Sequence, residues 1–185
     1  MKNYKAKLGK INTFIFDFDG VLSDSMVLMT EDGHYLRRTN VKDGYALQLA
    51  VKKGYNVAII SGAKAEGMLK RLYGLNIKDV YLGIANKMEA YNDLKAKYNL
   101  LDENITYMGD DIPDFEVLQK VGVPTCPADA AVEIKNIVDY ISDKKGGEGC
   151  ARDNRGRLLN HTQVGLGSGG QREALRGGQT VVTAG

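Results

Sequence analysis

Residues 13–24 read ThrPheIlePheAspPheAspGlyValLeuSerAsp, and this stretch decides the fold. Its first six residues form a short β-prone run of branched and aromatic side chains. The run is broken by Asp17 and passes into polar residues. An apolar strand that ends on carboxylates suits a buried parallel sheet, where ligands gather outside the carboxyl ends of the strands. Asp17 and Asp19 are two residues apart, so on extended backbone their side chains point to the same side.

Working outward, the same grammar recurs. AsnValAlaIleIle (56–60), ValTyrLeu (80–82), IleThrTyrMet (105–108) and ValProThrCys (123–126) read as further short strands. Helical stretches are expected at 43–53, 63–73, 87–98, 114–121 and 130–139, for example from Tyr91, Leu94 and Tyr98 at i, i+3 and i+7. Strand and helix alternate throughout, which predicts an α/β fold with a doubly wound parallel sheet. Residues 26–41 break the rhythm. They hold Asp32-Gly33 between two β-prone arms, a strong hairpin signal, so a β-hairpin is expected to project between the first strand and the first helix.

The residues just past each strand form a constellation. Asp17, Asp19 and Gly20 lie past the first, Ser61 and Gly62 past the second, Lys87 past the third, and Gly109, Asp110, Asp111 and Asp114 past the fourth. Singly these are ordinary: an Asp-x-Asp ends a strand, a Ser-Gly makes a turn, a lysine is solvated. Together, in this order, they aim carboxylates, a hydroxyl and an ammonium at one crevice. Crowded carboxylates repel one another and call for a cation. Hard oxygen donors without His or Cys select Mg²⁺ rather than zinc. A carboxylate nucleophile, a second carboxylic acid two residues on, a metal, a hydroxyl and a lysine describe phosphoryl transfer. A receiver-type signalling domain also carries acidic residues and a lysine at strand ends, but there the acidic pair precedes a lone aspartate on a later strand, and here the order is reversed.

The four segments 17–24, 59–62, Lys87 and 109–114 resemble the motifs of the haloacid dehalogenase superfamily of phosphatases. ThrAsnValLysAspGlyTyr (39–45), the hairpin before it, and LysLysGlyGlyGluGlyCysAlaArgAsp (144–153) further resemble the capless 3-deoxy-D-manno-octulosonate 8-phosphate phosphatase subfamily, over about residues 10–153. The resemblance implies a Mg²⁺-dependent monoesterase in lipopolysaccharide precursor synthesis, without a cap domain, working through an aspartyl-phosphate. Asp17 is then nucleophile and metal ligand. Asp19 is general acid/base and binds metal through its carbonyl, and Asp110 is the remaining ligand. Asp111 and Asp114 support the metal and Lys87. Ser61, Gly62 and Lys87 bind phosphate. Asn40, Val41, Lys42, Asp43, Gly44 and Arg71 bind substrate. A homotetramer is implied, in which the hairpin and Gly146, Gly147, Gly149 and Arg152 close a neighbour's site. Two positions depart from the pattern: Ala63 replaces a frequent Arg, and Gln48 a basic residue, so less charge meets the sugar carboxylate. The alternatives are a nonulosonate 9-phosphate phosphatase and a non-catalytic partner of a sugar nucleotidyltransferase. The second would have been free to lose Asp17 or Asp19, and both are present.

The remaining features bound the reading. Hydrophobic residues at 43% and charged residues at 26% exclude a wholly disordered chain of these 185 residues. The apolar runs are too short to span a bilayer, and no apolar segment comes after the basic start, so no membrane partner and a cytoplasmic location are expected. After residue 150 come five arginines against two acidic residues, leaving 20 basic and 21 acidic side chains before it. The mild basicity thus sits at the end, and no basic stripe accompanies the tyrosines, so no nucleic-acid partner is expected. Two widely spaced cysteines read as reduced residues. The phosphatase domain is expected over 1–153, with a flexible Gly- and Arg-rich tail at 154–185 that lacks a packed core.

Overall fold

A computed structural model describes residues 4–154, and the expected tail from residue 155 lies outside the described residues. Strand β1 (Thr13–Phe16) is the centre of the sheet. All four of its residues are buried, because the sheet is covered on both faces. The chain then forms a two-stranded hairpin, β2 (Leu28–Met29) with β3 (Tyr35–Leu36), before α1 (Val41–Lys52) and β4 (Asn56–Ser61). It continues through α2 (Glu66–Gly74), β5 (Asp79–Leu82), α3 (Lys87–Tyr98) and β6 (Ile105–Met108), and ends through α4 (Phe115–Leu118), β7 (Val123–Cys126), α5 (Val132–Ile137) and β8 (Tyr140–Ile141).

The six-stranded sheet runs β5-β4-β1-β6-β7-β8, with every pairing parallel. This is a doubly wound order that reverses at β1. The period of two along each strand splits the core. Phe14, Phe16, Val57 and Ile59 point to the face covered by α1 and α2, where Leu47, Ala50, Met68 and Leu72 meet them. Ile15, Ala58 and Ile60 point to the other face and pack on Ala90, Tyr91 and Leu94 of α3 and on Val117, Leu118 and Ile134. The insertion after β1 is a hairpin, so among the described residues no cap domain covers the sheet.

Several boundaries move, each for a local reason. The first helix starts at Val41 and not at 43, because the Asn40 side chain accepts from Lys42 N–H (2.8 Å) and caps it. The second starts at Glu66 and not at 63. The Ser61 hydroxyl accepts Ala63 N–H (3.2 Å), and Ala63 C=O accepts Gly83 N–H, so this backbone is bound in a turn. The fourth is preceded by a 3-10 turn, Ile112–Asp114, with Pro113 in it. Strand β8 and the 3-10 segment Tyr4–Lys10 were not expected, for neither carries a period of its own. Folded structure also runs past residue 153. A helix begins at residue 150, Cys150 and Ala151 are core residues, and Asn154 is buried with its amide donating to the Thr125 hydroxyl (3.1 Å).

Candidate active site

The carboxyl ends of β1, β4, β5 and β6 open into a crevice of about 550 Å³ lined by Asp17, Asp19, Ser61, Gly62, Lys87, Asp110, Asp111 and Asp114. All eight were expected there from the sequence. Ala63, Pro113, Ser25, Val27 and the 83–85 loop also line it; nothing in the residue types or spacing of Ser25, Val27 and the loop signalled it.

The crevice is built on a buried charge cluster. Asp17 is placed by its backbone N–H, which donates to Met108 C=O (2.9 Å) and carries the β1–β6 ladder one residue further. Lys87 begins α3 behind the Asn86 cap and is 5% exposed. Its ammonium lies 3.0 Å from Asp17 Oδ1 and 2.6 Å from Asp114 Oδ1. Asp114 folds back in a capping box: its Oδ2 accepts Asp110 N–H (3.1 Å) and Asp111 N–H (3.4 Å), while Asp111 caps Ile112. Tyr107 donates its hydroxyl to Asp114 Oδ1 (2.5 Å). Both oxygens of Asp114 are thus used within the protein. Breaking such a buried pair by removing one partner typically costs about 3–5 kcal/mol.

Asp110 contrasts with Asp114. Its Oδ1 is buried and has no hydrogen-bond partner among the described residues. Gly20, at φ +89°, sits against the Asp110 carboxylate, and a Cβ there would overlap it. Burial, then the charges of Asp17 and Asp114, push the Asp110 carboxyl up to about 8. Asp17 is pushed up to about 7 by burial and by Asp114, against the pull of Lys87. Burial alone would lower Lys87, but Asp114 and Asp17 raise it, so it stays an ammonium. A buried and a half-buried carboxylate whose ionised forms are disfavoured, one with a buried oxygen that no described residue satisfies, fit a divalent cation whose charge would stabilise both anions. Carboxylate oxygens of Asp17, Asp110 and Asp114 lie within 4.8 Å of one another. Asp114 is already committed to Lys87 and the turn, so Asp17 and Asp110 are the carboxylates of this group that could hold a cation directly.

The expected substrate residues lie elsewhere. Asn40 is the α1 cap, and its amide donates to Gly147 C=O (3.2 Å). Val41 and Lys42 are exposed. Asp43 is buried and accepts Gly149 N–H (3.1 Å) and Arg152 N–H (2.7 Å), capping the helix that begins at 150. Burial raises its carboxyl, while those two N–H groups oppose the shift. Gly44 faces the Arg71 guanidinium, and Arg71 lines a second cavity of about 760 Å³ with Arg37, Lys64 and Lys70. None of Asn40 to Gly44 lines the crevice. The glycines expected to close a neighbour's site pack first on their own chain. A Cβ on Gly146 would overlap Gly20 C=O, Gly147 N–H donates to Val21 C=O (2.9 Å), and Gly146 N–H donates to Asp129 (2.9 Å). This segment braces the loop behind Asp17 and Asp19 from outside.

A doubly wound sheet with this acidic, lysine-bearing crevice at its switch point defines a haloacid dehalogenase-like hydrolase, and the family model of that description matches residues 73–152. The 3-deoxy-D-manno-octulosonate 8-phosphate phosphatase KdsC of Escherichia coli K12 is 39% identical over 148 residues, 80% of this chain and 79% of that protein. The crystal structure of the Yersinia pestis phosphatase of the same name aligns with a TM-score of 0.85 at 31% identity, covering 88% of both chains. A Moraxella catarrhalis relative, solved in complex with magnesium, phosphate and KDO, aligns with a TM-score of 0.85 at 28% identity over 88% of this chain and 94% of its own. This chain belongs to the 3-deoxy-D-manno-octulosonate 8-phosphate phosphatase family.

Proposed function

We infer that the chain is a phosphoric monoester hydrolase that converts 3-deoxy-D-manno-octulosonate 8-phosphate to the free sugar acid and phosphate, supplying a lipopolysaccharide precursor in the cytoplasm. The observation that carries the chemistry is the buried Asp17 beside the half-buried Asp110, lining one crevice with the Lys87 ammonium 3.0 Å from Asp17. The metal is Mg²⁺, favoured by the all-oxygen donor set and by its presence in the Moraxella relative. When bound, it screens charge between the carboxylates and the phosphoryl oxygens.

The chain's own residues do the rest. Ser61, Gly62 and Lys87 hold the phosphoryl oxygens, and Asp114 keeps Lys87 aimed. Asp17 attacks phosphorus, and its new O–P bond forms as the bond to the sugar oxygen breaks. Asp19 gives its proton to that leaving oxygen. Water then attacks the aspartyl-phosphate, and Asp19 takes the proton of that water. The neutral Ala63 lines the crevice, so selectivity for the sugar carboxylate falls to Arg71 and Lys64 in the adjoining cavity.

The homotetramer belongs to this proposal. Met26, Leu28, Met29, Tyr35 and Leu36 of the hairpin are exposed, as are Val41 and Tyr45 beside it. An apolar patch of this kind marks an interaction surface. A phosphate-release screen with and without Mg²⁺ tests the function, with the octulosonate 8-phosphate, nonulosonate 9-phosphates and an aryl phosphate as substrates. Mg²⁺-dependent release with the octulosonate preferred is expected. Preference for a nonulosonate would move the substrate, and metal-independent release would overturn the mechanism.

A further inference from the structure

Arg37 comes directly after β3 at the foot of the hairpin, and its side chain is 11% exposed. Its Nε donates to both oxygens of Asp19, at 2.7 and 2.9 Å. The Ser23 hydroxyl donates to Asp19 Oδ1 as well (2.8 Å). Asp19 is therefore gripped from two directions, by its own loop through Ser23 and by the hairpin through Arg37. Oδ1 accepts from both, whereas among the described residues Oδ2 accepts from Arg37 alone, which leaves Oδ2 the oxygen with room for a further partner. The pair spans a boundary: Asp19 lines the crevice, and Arg37 lines the neighbouring cavity. The next residue, Arg38, makes a useful contrast. Its side chain is 88% exposed and pairs with Asp24 (2.5 Å), so it ties the hairpin to the same loop without touching Asp19.

We propose that Arg37 is a positioning residue that fixes the Asp19 carboxylate for proton transfer, so that the hairpin sets the acid/base geometry of its own subunit. A guanidinium is suited to this because its charge is permanent and its donors are rigidly placed, so it can orient a carboxylate from behind without competing as an acid. The inference rests on the reading of Asp19 as the general acid/base. That reading supplies a signature which loss of stability alone would not produce. A poor alkyl leaving group needs the proton in the first step, and an activated aryl group does not.

The test compares Arg37→Ala, Arg37→Lys, Arg38→Ala, Asp19→Asn and the Asp19→Asn/Arg37→Ala double variant, all as the full chain with Mg²⁺. The readouts are the first-step rate on the octulosonate 8-phosphate and the burst of p-nitrophenolate from p-nitrophenyl phosphate, with thermal melting as a folding control. Arg37→Ala is expected to lose roughly 10-fold or more in kcat on the sugar phosphate, with KM little changed and the aryl burst nearly intact. Arg37→Lys should recover part of the loss, Arg38→Ala should behave as the parent, and the double variant should be no worse than Asp19→Asn. Equal first-step losses on both substrates, a change confined to KM, or additive losses in the double variant would overturn the role of Arg37. Should Arg37→Ala melt early, Arg37→Lys and the same substrate comparison decide it. If Asp19→Asn itself shows no leaving-group dependence, the reading of Asp19 fails first, and that outcome is distinct from failure of Arg37 alone.

Discussion

The crevice and the hairpin are neighbours in sequence and opposites in construction. In the crevice, Asp17, Lys87 and Asp114 are at most 7% exposed and hold one another through short contacts. In the hairpin, the paired Leu28 and Leu36 are 66% and 51% exposed, and each strand has two residues. A two-stranded hairpin of that kind is marginal in water. The difference teaches where each part of the function is made. One chain over-determines the crevice groups, whereas the hairpin presents a surface of exposed apolar side chains.

The largest expected effect falls on the crevice. Asp17→Asn keeps the volume and removes the attacking oxyanion, so phosphate release should drop roughly 10³-fold or more on sugar and aryl phosphates alike. Near-parental release by this variant would break the mechanism. On the hairpin side, Leu28→Glu with Leu36→Lys should leave the aryl phosphatase within a few-fold and cut sugar-phosphate turnover about 10-fold, with a fall in mass by light scattering. An unchanged mass would show that the hairpin is not the assembly surface.

The third effect lies between the two regions. Asp43→Ala leaves the Gly149 and Arg152 N–H groups without their acceptor, at a cost of about 2 kcal/mol. A melting point about 4–8 °C lower is expected from that loss, with the aryl first step retained. Unchanged melting would mean that the brace does not need this cap. A separate effect, seen without metal, is a pH dependence. Asp17 and Asp110 have folded values near 7 and 8 against 3.8 unfolded, so in chelator the folded state binds more protons between those limits. Stability from these groups is then fully present below about pH 4 and falls as pH rises through about 7 to 8. Added Mg²⁺ should raise the melting point more at pH 8 than at pH 5. An equal rise at both pH values would argue against these two carboxylates as the metal donors.

The hairpin also marks how far the sequence could be read. Asp32-Gly33 announces a turn, and the turn is there, with Gly33 at φ +84°. It lies within a longer connection, 30–34, because the ladder closes at Met29 and Tyr35. The turn signal is local, and the register is not. Arg37 carried no signal at all, since an arginine after a strand is ordinarily solvated, and its partner is a carboxylate 18 positions away. The motif around Asp43 suggests a substrate residue, yet the N–H groups that bind its carboxylate come from 149 and 152, more than a hundred residues on.

By itself, the sequence determined the alternating α/β fold and the identity of the groups at the strand ends. Both depend on periodicity and on strand termini, and every parallel strand must deliver its last residues to the same edge of the sheet. The tertiary structure alone decided how those groups share the work. How far an aspartate is free for another partner depends on which of its oxygens are already occupied. At Asp114 they are taken by Tyr107, Lys87 and two backbone N–H groups, whereas among the described residues Oδ1 of Asp110 has no donor. Hydrogen bonds of this kind are made across the sheet, between residues whose separation along the chain carries no trace of their contact.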